Sequence, residues 1–97
     1  MTIIESHKFK IRLRMITDYI KKDKQGASVD FAKNLKKTIK NLNNSPFKYR
    51  QSDYFDNENI RDLTYIGYTV IYKVYMDKKT IVVVDIFNQN KSLDTTK

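Results

Sequence analysis

Lysine, arginine, tyrosine and amide side chains recur through the second half of the chain. Lys48, Tyr49, Arg50 and Tyr54 fall in one stretch, FKYRQSDYFDNEN, and Arg61, Lys73, Asn88, Gln89 and Lys91 follow it. Cations neutralise phosphates and aromatic rings stack on bases, so such a set can hold an RNA. The same groups can help a ribose 2′-hydroxyl attack and can stabilise the phosphorane that forms. A metal-independent endoribonuclease built on Lys48, Arg50, Tyr54, Arg61, Lys73 and Lys91 is therefore one chemistry open to the chain. Binding without catalysis is the other, with Arg50, Arg61, Lys73, Asn88, Gln89 and Lys91 as the contact residues for a target.

Most alternatives are closed by composition. There is no cysteine, which removes disulfides, thiolate nucleophiles and cysteine zinc sites. The two glycines, Gly26 and Gly67, are too few and too far apart for a phosphate-cradling loop. His7 is the single histidine, at the start of a helical pattern, and reads as a surface or capping residue. No metal site and no cofactor are expected. Asp53, Asp56, Glu58 and Asp62 are close in sequence, but nothing sets them in a geometry for paired-carboxylate or two-metal chemistry. They read as a solvated acidic loop whose remaining task is to pair Arg61 or Lys73. Arg61 and Asp62 pose a question of their own, because both open a strand, where charge is costly unless solvated or paired; Arg61 could anchor the connector or face a target.

The chain has 97 residues and carries a net charge of +8. One domain is expected over 1–97, with a frayed tail at about 92–97. Residues 1–50 hold 13 Lys and Arg against 4 Asp and Glu, whereas residues 51–97 hold 6 against 7. The first half thus favours an anionic partner. No continuous apolar run of signal-peptide or membrane-spanning kind is present, so a soluble cytoplasmic protein with no membrane partner is expected.

Apolar periodicity supplies the elements that position these groups. Phe9, Leu13, Ile16 and Ile20 share one helical face, flanked by Met15 and Tyr19, over about Ser6 to Asp23. Phe31, Leu35, Ile39 and Leu42 repeat the pattern up to about Asn43. Gly26 is expected to stop the first helix and Ser28 to cap the second. Thr2 to Glu5 reads as a short edge strand. After a connector, Phe47 to Asn59, strands are expected at about Ile60–Ile66, Tyr68–Met76 and Thr80–Asn88. Their short connections require antiparallel pairing. TIVVVDIF is expected to be the most buried of the three, and the sheet face away from the helices, or its rim, to be exposed and partly aromatic and basic. The fold class is α+β: an N-terminal helical hairpin packed on a C-terminal antiparallel sheet of three to four strands.

Helix, helix, proline-bearing connector and meander come in that order, with IRDL, then GYTVIYKV, then TIVVVDIFNQNK in the strands. In order and spacing this resembles the RelE/ParE superfamily of bacterial type II toxins over nearly the whole chain. Arg61, Tyr68 to Val74, and Ile81 to Lys91 carry the resemblance. RelE-like members cut mRNA in the ribosomal A site with Arg, Lys and Tyr groups. ParE-like members act on DNA gyrase and lack that set. Thr69 stands where the RelE-like strand has a catalytic arginine, and NQNKSLD has neither Arg nor Tyr. The resemblance therefore favours the ParE-like branch: a growth-arresting gyrase inhibitor of the plasmid-stabilisation kind, not itself an enzyme. A RelE-like ribonuclease and an inactive relative or basic binding module are the alternatives.

A toxin of this type implies a cognate antitoxin with an acidic segment that folds on binding. Phe9, Arg12, Lys33, Lys37 and Lys40 on the basic helices are the residues it is expected to meet. A homodimer or a toxin–antitoxin heterotetramer is the assembly such a pair implies.

Overall fold

The computed structural model describes residues 1–88. Ser6 starts the first helix, α1 (His7–Asp23). Its hydroxyl accepts the Phe9 N–H at 3.0 Å and donates to the Val84 carbonyl at 2.8 Å. One side chain thereby caps the helix and ties it to the last strand. Helix α2 (Gln25–Lys40) follows after a single extended residue, Lys24. Gly26 and Ser28 do not mark the break, because both lie inside α2. Ser28 is buried and donates its hydroxyl to the Thr17 carbonyl of α1 at 2.8 Å. A capping signal and a helix-to-helix bond use the same hydroxyl, and the packing of the hairpin decided between them. A 3₁₀ turn, Asn41–Asn43, ends the hairpin.

Four strands follow the pattern of the apolar runs: β1 (Thr2–Glu5), β2 (Ile60–Tyr65), β3 (Tyr68–Tyr75) and β4 (Thr80–Asn88). They form one sheet in the order β1-β4-β3-β2. The meander β2-β3-β4 is antiparallel, as its short turns require, whereas β1 adds to β4 in parallel. Phe9, Leu13, Phe31, Leu35 and Ile39 of the helices pack on Leu63, Val70, Tyr72, Val74, Ile81, Val83 and Ile86 of the sheet. Both helical stripes read from the sequence thus face one core.

β4 departs from strict alternation. Ile71 pairs with Asp85 and Tyr72 with Val83, which leaves Val84 as an extra residue. This bulge resets the phase, so Val83 and Ile86 both reach the helices. The strand is not buried throughout: Val82 and Val84 are only half-buried, and β3 is buried at least as fully.

β2 stops at Tyr65, one residue short of the expected end, because Ile66 belongs to the turn. Ile66 has φ 43° and Gly67 φ 81°. Two positive values are the signature of the two-residue turn whose twist matches a hairpin. Gly67 adopts that conformation freely, whereas at isoleucine it costs about 1–2 kcal/mol.

Candidate functional site

The connector between the helices and β2 is the part that the polar and aromatic residues build. It begins on the helix face of the sheet. Tyr72 is wholly buried there and donates its hydroxyl to the Pro46 carbonyl at 2.7 Å. Burial pushes the Tyr72 hydroxyl up to about 12, only partly opposed by the Tyr49 backbone and the Arg61 charge. Arg61 is the cross-strand partner of Tyr72, so its side chain leaves the sheet on the same side. Its Nη1 donates to the Tyr49 carbonyl at 3.0 Å and its Nε to the Glu58 carbonyl at 2.9 Å. The guanidinium lies 4.8 Å from the centre of the Phe47 ring. A planar cation with a fork of donors suits this task, since it binds two carbonyls and stacks at once.

Next the connector runs along the outer edge of β2. The Ser52 N–H donates to the Ile60 carbonyl at 2.8 Å, and the Asp62 N–H donates to the Arg50 carbonyl at 3.1 Å. Gln51 lies opposite Arg61 in a single antiparallel bridge. The chain then turns onto the other face. Asp62 points that way, and its Oδ2 accepts the Asp53 N–H at 3.0 Å. The Tyr54 ring meets Phe87 edge-on, 5.2 Å between centres. Residues 47–59 are therefore a strap that wraps the sheet edge, and Arg61 and Asp62 hold it from opposite faces. That is the use of two charges at the start of a strand. The middle of the face away from the helices is accordingly covered, with Thr69, Ile71 and Phe87 buried, and the basic and aromatic pair Lys73 and Tyr75 is half-buried toward the end of β3.

Asp62 is 1% exposed. Its Oδ2 also lies 3.9 Å from the Arg50 guanidinium, whose closer partner is Asp53. Asp62 Oδ1 is buried with no hydrogen-bond partner. Asp53 and Asp62 thus serve Arg50, and neither pairs Arg61 or Lys73 as the sequence suggested.

The described members of the ribonuclease set do not share one face of the sheet. Arg61 is committed to two carbonyls. Lys73 pairs with Ile60 and so leaves the sheet on the face opposite Arg61, its amine 4.9 Å from the Tyr75 ring. Lys48 is exposed, 5.5 Å from the Tyr49 ring, Arg50 is exposed, and Tyr54 rests on Phe87. Asn88 is half-buried at the end of β4. Gln89 and Lys91, and the expected frayed tail, lie outside the described residues. Thr69, where a catalytic arginine was sought, is 3% exposed.

Among the residues expected to meet an antitoxin, Phe9 is corrected: it is fully buried in the core and offers no surface. Its place in the apolar stripe of α1 makes it a packing residue. Lys33, Lys37 and Lys40 are exposed on α2. Arg12 lines a groove of about 510 Å3 between α1 and the ends of β3 and β4. Met15, Ile16 and Tyr19 form one wall, and Tyr68, Ile86 and Phe87 the other. Arg12 and Lys8 lie 3.5 and 3.4 Å from the buried Asp85 carboxylate. The sequence marked Met15 and Tyr19 only as flanks of the core stripe. Two large apolar groups beside a stripe were the available sign, and they are 65% and 71% exposed. Among the described residues no cluster of three or more acids or histidines could hold a metal ion. No helix there is long and apolar enough to cross a membrane.

Comparison with known proteins places this geometry. The family described as the ParE toxin of the type II toxin-antitoxin system parDE matches residues 3–93, and the chain belongs to that family. The solved structure of a chromosomal ParDE system from P. aeruginosa has a TM-score of 0.72 and 16% identity, over 91% of this chain and 95% of that one. The isolated E. coli RelE toxin has a TM-score of 0.64 and 17% identity, over 95% of this chain and 87% of that one. At such identities these likenesses concern the fold. No curated protein sequence matches the chain.

Proposed function

We propose that the chain arrests growth by binding DNA gyrase, and that a cognate antitoxin neutralises it. One observation carries the choice against a ribonuclease: two of the cations that would serve RNA cleavage, Arg61 and Lys73, are on opposite faces, and Arg61 is already engaged. Arg61 holds the strap through the Tyr49 and Glu58 carbonyls, and Lys73 is on the opposite face. A ribonuclease needs its donors converged on one phosphate, and a protein-binding toxin does not. Family membership supports the toxin reading. The target comes to this chain from the ParE-like resemblance.

The antitoxin reading rests on complementarity. The groove beside α1 is apolar with Arg12 at its lining, and α2 presents Lys33, Lys37 and Lys40. An amphipathic acidic segment fits both surfaces, and a chain at +8 would attract it from a distance. The direct test is DNA supercoiling by purified gyrase with this chain added in stoichiometric excess. Inhibition, with a translated mRNA left intact in a parallel reaction, is expected. Unchanged supercoiling by folded protein would refute the target.

A further inference from the structure

Two non-glycine residues among those described have positive φ, Ile66 and Lys79. Only Ile66 is β-branched, the side-chain type least suited to that conformation. The turn it occupies takes Asn, Asp or Gly at its position. Ile66 is also 74% exposed, the most exposed large apolar side chain among the described residues. Strain and exposure both oppose an isoleucine here, and no burial in the core offsets them. Residues held in such conformations against their preference gather at functional positions.

The surroundings define what Ile66 could meet. From Leu63 to Tyr72 there are ten residues without Lys, Arg, Asp or Glu, in a chain that is 31% charged. The turn is backed by Tyr65 and Tyr68, each packed edge-on against Phe31 at 5.4 and 5.3 Å. Ile66 is thus an apolar knob on a firmly seated hairpin whose own residues are uncharged. The hairpin itself supplies no cation to neutralise a phosphate, so Ile66 is not placed to serve nucleic acid. An acidic antitoxin segment gains nothing from it either, and is served by the lysines of α2. An apolar cavity on a folded protein does fit, and a side chain on a stiff turn loses little freedom on docking.

We infer that Ile66 is a target-contact residue, which inserts into an uncharged apolar cavity of the protein this toxin inhibits. The inference rests on the toxin reading above but depends on no particular target. Its test is the substitution Ile66→Asn, which suits the turn and removes the knob, beside Ile66→Val, which keeps a β-branched apolar group. The full chain is purified for thermal unfolding and induced in bacteria at matched protein levels. For Ile66→Asn the melting midpoint is expected to rise by roughly 4 °C or more. Its growth-arresting potency is expected to fall at least tenfold, with Ile66→Val staying within threefold of the unaltered chain. Full arrest by Ile66→Asn would overturn the proposal. So would a lowered midpoint in Ile66→Asn, or loss of arrest by Ile66→Val as complete as that by Ile66→Asn. An unaltered chain that leaves growth untouched would instead remove the toxin reading, and this proposal with it.

Discussion

Arg61 shows how one residue type admits two tasks. An arginine at the start of a meander strand can anchor the connector or face a target. Its guanidinium closes the strap through two carbonyls and a phenyl ring. Arg61→Ala is expected to destabilise the fold by about 2 kcal/mol, since hydrogen bonds from a charged donor are lost and two carbonyls are left without it. Arg61→Lys is expected not to restore this, because one ammonium cannot replace the fork. A lowered urea midpoint, with faster amide exchange in residues 47–59, checks both. Tyr72 gives a pH test with a definite sign. Its hydroxyl titrates at about 12 in the fold and 10.0 when exposed, so the neutral form is favoured by folding. That contribution is complete below pH 10 and is lost as pH rises from 10 to 12. Over this window stability falls by up to about 1.4 kcal/mol per pH unit from this group. Tyr72→Phe is expected to cost about 1 kcal/mol at neutral pH and to flatten the alkaline decline, read by denaturant unfolding at several pH values. The constellation was legible as residue types, but its assembly depends on strand parity. Arg61 opposite Tyr72 and Lys73 opposite Ile60 fall on different faces, and a one-residue slip of β2 would put both on one face.

At the scale of elements, the helices and strands were legible because apolar spacing dictates which face is buried. The helix junction was not. Gly26 and Ser28 carry the usual punctuation, yet helix α2 runs through both, and Ser28 spends its hydroxyl on Thr17. Gly26 meets nothing within 4 Å where a Cβ would sit. Gly26→Ala is therefore expected to stabilise the fold by about 0.5–1 kcal/mol, seen as a higher thermal midpoint. A true stop at Gly26 would make the same change destabilising. The strap was legible only as a long connector, since its partners are backbone groups that any sequence possesses. Ser52→Pro removes the N–H that bonds Ile60 and is expected to free the β2 edge. Loss of about 1–3 kcal/mol, with concentration-dependent association, checks it by unfolding and light scattering. The β4 bulge was likewise invisible, because an unbroken apolar run looks the same with or without an extra residue.

For the whole molecule, the proposed function divides the surface by partner. On that proposal the lysines of α2 and the Arg12 groove would offer an acidic segment attraction and apolar cover, and the hairpin tip would offer a protein target a knob. The strap completes the β2 edge of the sheet, and Arg50 and Arg61 are engaged in holding it. Catalysis of RNA cleavage would require them to leave their partners, and a toxin that acts by binding a protein requires nothing of the kind. The most direct measurement is induced expression of the chain in bacteria without its antitoxin. Cell shape, the DNA damage response and mRNA integrity are followed in one culture. Filamentation with a DNA damage response and intact mRNA is the expected result. Rapid translation arrest with cuts at codon positions in mRNA would contradict it.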